Sequence, residues 1–356
     1  MIIQRRKTRG ISIGSVPIGG VAPISVQSMT NTDTRDIKAT VRQVRRLERA
    51  GCEIIRVGVP DMDAARSIGP IKARIRIPIV ADIHFDHRLA LEAVRQGVDA
   101  LRLNPGNIGT GNKVREVIKA AQQRSVPIRI GVNAGSLEKK LLAKYGGPTP
   151  EAMVESALGH VAILEKQNYH HIKISLKASD VGRTIDAYRL LADRVEYPLH
   201  VGITEAGTLL PGTVKSAVGI GILLSEGIGD TIRVSLTAPP EREIRTAYAI
   251  LRALGIRAKG VEVISCPTCS RTEIDLIGLA EKVEKSLDRI QTPLTVAVMG
   301  CAVNGPGEAR EADIGIAGGR GRGIVFKKGK MIGTYDEADL LGVLLEEVSR
   351  MTGEVL

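Results

Sequence analysis

The chain has 356 residues, of which 43% are hydrophobic and 25% charged, and this composition favours an ordinary globular protein with one large domain and one small one. No apolar stretch reaches the length of a membrane span, and no apolar run follows the basic N-terminus, so we expect a cytoplasmic protein that neither enters a membrane nor carries a signal peptide. The net charge of +11 suggests a phosphate-bearing partner, but two Phe, six Tyr and no Trp leave little for base stacking, which argues against nucleic acid.

The first predicted elements form a repeated βα unit. The first twenty residues, rich in Gly, Ser and Ile, predict a hairpin beneath a barrel floor, and from residue 24 to about residue 252 β-branched runs alternate with helical patterns. Eight such units predict an α/β fold, a (β/α)₈ barrel of TIM type. The predicted strands are 24–27, 54–57, 79–83, 100–103, 128–132, 171–176, 199–203 and 231–234, and the predicted helices include 36–49, 112–124, 149–166, 180–194 and 212–225.

The pattern changes after the last barrel helix. GIRAKG is typical of a linker, and the remaining segment mixes strands and helices around three cysteines. It is too short for a second barrel. We therefore predict a barrel domain over residues 1–254 and a small α+β domain over residues 255–356, which would carry a metal centre.

The carboxyl ends of the predicted strands carry mainly cations. Chemistry in such barrels occurs at these ends, and a polar residue flanked by Ile, Leu or Val on a strand is expected to point into the barrel. Six of the eight strands thus bring Arg, Lys or His to one mouth, where like charges repel unless a polyanion binds. The residues at these ends are Arg56, Asp82, His84, Arg102, Asn104, Arg129, Asn133, Lys173, Ser175, Lys177, Glu205, Arg233 and Ser235.

A cationic ring with only two obvious acids, Asp82 and Glu205, favours a ligand with several negative charges, such as a diphosphate. The glycine-rich segment 104–111 could add backbone N–H groups to this site. Glu205 has two possible roles. It either exchanges a proton with a bound substrate or serves as a countercharge to Lys177 or Arg233.

The cysteines predict a metal centre in the small domain. Cys266 and Cys269 form a C-x-x-C turn after a strand, and Cys301 ends another strand. Three thiols are one short of the usual set for a cubane cluster or a structural zinc, and Glu308 on the following Gly-Pro loop is the candidate fourth ligand. A zinc ribbon would more often have a second C-x-x-C, so a cluster is favoured over zinc. Cys52 is interpreted as a core residue.

Eight motifs together resemble bacterial 4-hydroxy-3-methylbut-2-en-1-yl diphosphate synthases, the family that performs the penultimate step of the methylerythritol phosphate route to isoprenoids. The resemblance spans essentially the whole chain, which lacks the extra central domain of the plant-type members. The motifs are SVQSMTNTDT, ADIHF, LRLNPGNIG, IRIGVNAGSLE, IKISLKAS, GITEAG, ISCPTCSRT and MGCAVNGPGEA.

The resemblance implies reductive ring-opening and dehydration of 2-C-methyl-D-erythritol 2,4-cyclodiphosphate at a [4Fe-4S] cluster. By position, Cys266, Cys269, Cys301 and Glu308 resemble the cluster ligands, and Glu205 resembles the acid. Lys177 is favoured over Lys173, although both should face inward. The residues expected to bind the diphosphate, or to lie beside it, are Arg56, Asp82, His84, Arg102, Asn104, Arg129, Asn133, Lys177, Arg233 and Ser235.

The resemblance also implies partners. Ferredoxin or flavodoxin is the expected electron donor, and a head-to-tail homodimer is the expected assembly, because the short linker releases the small domain far from the mouth of its own barrel. Two other functions stay open at this point. One is a zinc-containing barrel lyase or pterin-type transferase, and the other is a nucleic-acid binding protein.

Overall fold

The structure is a computed structural model that describes residues 3–109, 111–301, 307 and 309–355. The chain divides into two compact units, Met1–Arg257 and Ala258–Leu356. The division falls just after the boundary at residue 254 that the sequence predicts. Among the described residues, no helix has the length and apolar character needed to cross a membrane.

An N-terminal hairpin lies under the barrel. Its strands β1 (Ile11–Ile13) and β2 (Val16–Ile18) are antiparallel, and Ile11, Ile13 and Ile18 pack against the inward-facing Ile54, Val80 and Ala100 near the start of three barrel strands. Apolar side chains therefore close the amino-terminal end of the barrel. The predicted hairpin is confirmed.

The barrel has eight parallel strands. They pair in the order β8-β7-β6-β5-β4-β3-β10-β9, and a parallel bridge between Ile174 and Leu199 links β8 to β9. This ring confirms the predicted (β/α)₈ architecture. The strands are β3 (Ser25–Met29), β4 (Ile54–Gly58), β5 (Ile79–Asp82), β6 (Ala100–Arg102), β7 (Ile128–Asn133), β8 (Ile172–Lys177), β9 (His200–Val201) and β10 (Thr231–Ile232).

Helices surround the strands, and several begin directly after an Asp residue. The side chains of Asp36, Asp61 and Asp180 each accept a backbone N–H from the first turn of their helix, which satisfies a donor that the helix itself cannot pair. The helices are α1 (Ile37–Ala50), α2 (Met62–Lys72), α3 (His87–Arg95), α4 (Asn112–Gln123), α5 (Lys139–Tyr145), α6 (Pro150–Glu165), α7 (Val181–Ala192), α8 (Leu209–Ser225) and α9 (Pro240–Ala253).

The two faces of the barrel strands differ in polarity. On β4, Ile55 and Val57 join the apolar core between strands and helices, whereas Arg56 alternates with them and faces the interior. The same alternation puts Arg129 and Lys173 on the inner face, with Ile128 and Ile130 outside. Strands β9 and β10 are shorter than predicted because the chain leaves the sheet at Gly202 and Arg233 and forms loops.

The second unit is a mixed five-stranded sheet covered by two helices. Strands β11, β12 and β13 are parallel, while β14 and β15 continue the sheet as antiparallel neighbours. The predicted α+β character is confirmed. The elements are β11 (Val261–Ser265), α10 (Leu276–Leu287), β12 (Leu294–Met299), β13 (Ile314–Gly318), β14 (Arg322–Lys327), β15 (Lys330–Asp336) and α11 (Leu340–Thr352).

Candidate functional site

The mouth of the barrel contains a buried group of cations joined by one carboxylate. Asp82 at the end of β5 lies 3.7 Å from Nε of Arg56 and 3.3 Å from Nη1 of Arg102, and its other neighbour is His84, at 3.6 Å. Only 8% of Asp82 and 6% of Arg102 is exposed. Burial opposes ionisation of Asp82, but Arg56, His84 and Arg102 outweigh it and hold its pKa well below its usual range.

Backbone carbonyls and small residues orient the arginines. Arg102 donates from Nη2 to the carbonyl of Gly131 at 3.0 Å, and Asn104 exchanges two hydrogen bonds with the same residue, at 3.0 and 2.9 Å. A Cβ atom at position 131 would lie 2.7 Å from Nε of Arg102, so glycine leaves the space that the guanidinium occupies. Arg129 donates to Oγ of Ser175 at 2.9 Å and has two further guanidinium nitrogens without a hydrogen-bond partner among the described residues.

The cations of the mouth repel one another. Burial, followed by the charge of Arg233, lowers the pKa of Arg56 to about 9, which still leaves it protonated at neutral pH. Burial and then the charges of Arg56 and Arg102 lower the pKa of Arg129. An arrangement that brings several desolvated cations to one point, with unused donors, is suited to a multivalent anion.

The two candidate lysines lie at different depths. Lys173 donates from Nζ to Oγ1 of Thr231 at 3.3 Å, a residue paired with the start of β3. Lys177 is the last residue of β8, and burial together with Arg233 and Arg129 lowers its pKa. The position of Lys177 among the mouth cations favours it over Lys173 as a contact for the anion.

The remaining predicted residues lie along the same rim. Asn133 ends β7 opposite Lys177, and Ser235 follows β10. Glu205 is exposed on the loop after β9, where its backbone adopts a left-handed φ of 51°, and it has no ion-pair partner in the described part of the chain. Backbone conformations of this kind are concentrated at functional sites.

The strand-end pattern missed two buried groups. Glu243 comes from the first turn of α9, accepts from Oγ of Ser28 at 3.0 Å, and lies 4.0 Å from Arg233, so the mouth holds a third acid. No period-two signal could reveal it, because it belongs to a helix. His200 is fully buried on the inner face of β9, with no hydrogen-bond partner among the described residues, and burial lowers its pKa. The sequence does carry a signal for it, because His200 alternates with the apolar Val201 and is therefore expected on the inner face of the strand.

In the second unit, two predicted metal ligands lie at the ends of neighbouring strands. Cys266 follows β11 and Cys301 comes two residues after β12, and these parallel strands pair Ser265 with Val298. The N–H of Gly300 donates to Sγ of Cys266 at 3.3 Å, and the carbonyl of Gly300 accepts the backbone N–H of Glu273 at 3.1 Å. The loop between Cys266 and Glu273 therefore returns to the end of β12.

The thiols have the chemistry of a soft metal site. Cys269 is exposed, and hydrogen bonds from Arg271 and Thr272 lower its pKa, which favours the thiolate that binds iron. In contrast, Cys52 is buried, donates to the carbonyl of Ile54, and has a pKa raised to about 12 by burial, as expected for a core residue. Among the described residues, no three His, Cys, Asp or Glu side chains are grouped closely enough to hold a metal ion, and Glu308 lies outside those residues.

Sequence comparison decides between the candidate classes. The model of the GcpE TIM-barrel domain matches residues 8–248, and that of the GcpE protein C-terminal domain matches residues 262–350. The chain belongs to the GcpE family. A member from Geobacter sulfurreducens, named 4-hydroxy-3-methylbut-2-en-1-yl diphosphate synthase (flavodoxin), is 63% identical over 351 residues, 99% of each chain. A protein of the same name from Thermodesulfovibrio yellowstonii is 60% identical and covers 98% of this chain and 100% of its own.

Solved structures share the fold of the GcpE barrel at low identity. Dihydropteroate synthase from Stenotrophomonas maltophilia matches 70% of this chain and 97% of its own, with a TM-score of 0.50 and 14% identity. N-acetylneuraminic acid synthetase from Leptospira borgpetersenii matches 80% of this chain and 100% of its own, also with a TM-score of 0.50 and 14% identity. These likenesses concern the fold alone.

Proposed function

We propose that the chain converts 2-C-methyl-D-erythritol 2,4-cyclodiphosphate into 4-hydroxy-3-methylbut-2-enyl diphosphate. The observation that carries this function is the buried cationic mouth, found in a chain that belongs to the GcpE family and shares 63% identity with a relative named for the product. The reaction opens the cyclic diphosphate, takes up two electrons and two protons, and releases one water. It is therefore a reductive dehydration catalysed by an iron–sulfur oxidoreductase.

The mouth binds the diphosphate through charge that is already in place. Asp82 orients Arg56 and Arg102, and the carbonyl of Gly131 fixes the second guanidinium from the other side. Because these side chains are ordered before the ligand arrives, little of the binding energy is lost in ordering them. The remaining cations assigned to the anion are Arg129, Lys177 and Arg233.

Further hydrogen-bonding side chains complete the binding site. His84 lies 3.1 Å from Nη1 of Arg102 and is exposed at the rim, and Asn104 is fixed by Gly131. Together with Asn133 and Ser235, they are suited to the hydroxyl groups and bridging oxygens of the ligand, for which a full charge is unnecessary. Their distribution over the ends of four barrel strands, β5, β6, β7 and β10, sets the orientation of the ligand.

Glu205 is assigned as the acid. It lies on the loop after β9, its carboxyl group is exposed, and its backbone is held in a left-handed conformation. In this role the protonated carboxyl donates to the departing oxygen of the bound substrate. The alternative role as a countercharge receives no support from a contact in the structure.

The second unit is assigned as the holder of a [4Fe-4S] cluster, with Cys266, Cys269, Cys301 and Glu308 as ligands. The donor set supports this, since thiolates suit iron–sulfur clusters and the N–H of Gly300 already donates to one sulfur. When bound, the cluster supplies the electrons that the reaction consumes. Hydrogen bonds from Arg271 and Thr272 lower the pKa of Cys269 and so favour the thiolate form that a cluster needs.

Partners and compartment follow from the redox chemistry. Flavodoxin, which appears in the names of the relatives, is the proposed electron donor, with ferredoxin as the alternative. Reduced thiols and a labile cluster fit the cytoplasm. A head-to-tail homodimer is the proposed assembly. A mixed dimer of Arg102→Ala and Cys269→Ser chains tests it, because pairing across chains restores one intact site whereas separate chains restore none.

The function is tested with protein purified anaerobically and loaded with iron and sulfide. Incubation with the cyclic diphosphate and reduced flavodoxin should give 4-hydroxy-3-methylbut-2-enyl diphosphate, detected by mass spectrometry. Arg102→Ala should lose most substrate affinity and retain the cluster spectrum, while Arg66→Ala on the exposed face of α2 should behave as wild type. Loaded protein that binds the substrate but forms no product would overturn the proposal.

A further inference from the structure

A buried imidazole joins two loops of the mouth. His160 lies on α6 and is 5% exposed. Its Nδ1 atom accepts the backbone N–H of Gly106 at 3.2 Å, and its Nε2 atom lies 3.6 Å from Oε1 of Glu138. Gly106 belongs to the short turn after β6, and Glu138 belongs to the segment that follows β7. One side chain thus contacts the two loops that carry Asn104 and Asn133.

The hydrogen bond fixes the protonation state of the ring. Because Gly106 donates its N–H, Nδ1 must carry a lone pair, and the single ring proton lies on Nε2, facing Glu138. Burial lowers the pKa of His160, Lys140 lowers it further, and Glu138 opposes both. These are the charged groups that act on the ring among the described residues, and the turn after β6 contributes only its backbone. The imidazole is therefore neutral at pH 7.

The turn lies directly on the ring. A Cβ atom at position 106 would come within 2.9 Å of Cε1 of His160, closer than real Cβ atoms approach, and within a tight 3.2 Å of Nδ1, so the turn or the ring would have to shift. Glycine at position 106 is therefore required by this contact, even though its own φ is not in the left-handed region. This close approach indicates that the turn occupies one defined position against the ring of His160.

The same turn positions the mouth. Asn104 precedes Gly106 by two residues and exchanges its two hydrogen bonds with Gly131. The carbonyl of Gly131 is also the acceptor that orients Arg102. A shift of the turn would therefore disturb both an amide and a guanidinium that the diphosphate uses.

We propose that His160 is a positioning residue whose neutral imidazole holds the loops after β6 and β7 in the arrangement that binds the diphosphate, and that protonation of Nδ1 releases the turn and weakens binding. The inference rests on the proposed function for the identity of the ligand. The contacts of His160 with Gly106 and Glu138, which we call the latch, are a property of the free protein. It needs no contact between His160 and the substrate.

The sign of the pH dependence follows from the burial of the ring. A histidine whose pKa is lower in the folded chain than its ordinary value of about 6.5 contributes fully above that value. The contribution is lost as the pH falls through the lowered pKa. The latch is thus closed at neutral and alkaline pH, and it opens on acidification.

The latch is tested first without any ligand. Hydrogen exchange of the Gly106 amide, corrected for the intrinsic effect of pH, is compared in wild type, His160→Asn and His160→Leu. The asparagine oxygen replaces Nδ1 as an acceptor and does not titrate, whereas leucine offers no acceptor. The amide of Leu176, which donates to Oη of Tyr188 at 3.1 Å, is the internal control because that phenol does not ionise near neutral pH.

The expected result is protection of Gly106 that wild type loses on acidification, that His160→Asn keeps, and that His160→Leu lacks at every pH. Binding of inorganic diphosphate should follow the same order by calorimetry. At about pH 7.5 the leucine variant should bind about tenfold more weakly than wild type, and as the pH falls through the lowered pKa of His160 the wild type should approach it while His160→Asn does not. Equal pH dependence in wild type and His160→Asn would overturn the proposal.

The two hypotheses can fail separately. If these variants behave as described but the loaded enzyme does not convert the cyclic diphosphate, the positioning role stands and the proposed function fails. If the substrate is converted but His160→Leu binds diphosphate as tightly as wild type and keeps Gly106 protected, the function stands and the role of His160 fails.

Discussion

The Oδ1 atom of Asp82 lies 3.3 Å from Nη1 of Arg102, and the Oδ2 atom of the same carboxylate lies 3.7 Å from Nε of Arg56. One buried acid thus separates two cations, the buried Arg102 and the largely buried Arg56, that would otherwise repel each other. The geometry gives Asp82 a role in folding that differs from its role in binding. The carboxylate stabilises the free protein, while the cations that it orients are the proposed contacts of the anion.

Replacement of Asp82 by Asn should destabilise the free protein by about 3 kcal/mol, because removal of one partner leaves buried charges uncompensated. Inorganic diphosphate should recover part of this loss by binding only the folded state. Chemical denaturation with and without diphosphate measures both effects. Asp186→Asn, at an exposed pair with Arg189 on α7, should change the free energy of unfolding by less than about 0.5 kcal/mol.

The pH dependence of this pair has a defined sign. The pKa of Asp82 is lower in the folded chain than the ordinary value of about 3.9, so its stabilising contribution is present above that value and is lost only as the pH falls through the lowered pKa. Between pH 5 and 8, the free energy difference between wild type and Asp82→Asn should therefore stay constant. A difference that shrinks across this range would contradict the assigned pair.

Replacement of Gly131 by Ala should weaken diphosphate binding by about tenfold, because the added Cβ would displace Arg102 from a charge-assisted contact. Gly58 provides a matched control. It ends barrel strand β4 and pairs with Asp82, and a Cβ atom added at this position would meet nothing within 4 Å. Gly58→Ala should bind diphosphate like wild type, and calorimetry distinguishes the two variants. Equal weakening would indicate a general effect on the barrel.

Much of the barrel could be predicted from the sequence because its signal is local. The alternation around Arg56 and Arg129 sets which face each side chain occupies, and the pleat of the strand carries that alternation into the structure. The eight barrel strands are predicted from short β-branched runs, and the hairpin from a segment rich in Gly, Ser and Ile, and both are local signals. Strands β9 and β10 end earlier than the sequence predicts, because Ile203 and Val234 continue the apolar pattern after the chain has left the sheet.

The rest depended on contacts between distant positions. Glu243 reaches the mouth from a helix, and its partner Ser28 lies 215 residues away in sequence. The hydrogen bond between Gly106 and His160 joins positions 54 residues apart. Neither relationship has a period or a motif, because it arises only when separate βα units close into one ring.

Replacement of Glu205 by Gln should lower kcat by about 10²-fold or more and leave KM for the cyclic diphosphate nearly unchanged, since an amide cannot donate the acidic proton but keeps the size of the side chain. The iron–sulfur spectrum should not change. Glu226→Gln, at an exposed pair with Arg189, is the control. If kcat is kept while KM rises, Glu205 acts in binding and another group is the acid.

Replacement of Cys269 by Ser should give colourless protein with little iron or sulfide, because a serine hydroxyl is a poor substitute for a thiolate, the form that a lowered pKa favours at Cys269. Cys52→Ala is the matched control, because Cys52 is buried in the barrel core and its pKa is raised to about 12. The control should lose some stability through its small cavity and keep a full complement of iron and sulfide. Visible absorption and metal analysis of anaerobically purified protein measure the difference. A Cys269→Ser protein with a complete cluster would remove Cys269 from the ligand set, whereas loss of iron from Cys52→Ala alone would mean that the barrel core supports the metal centre.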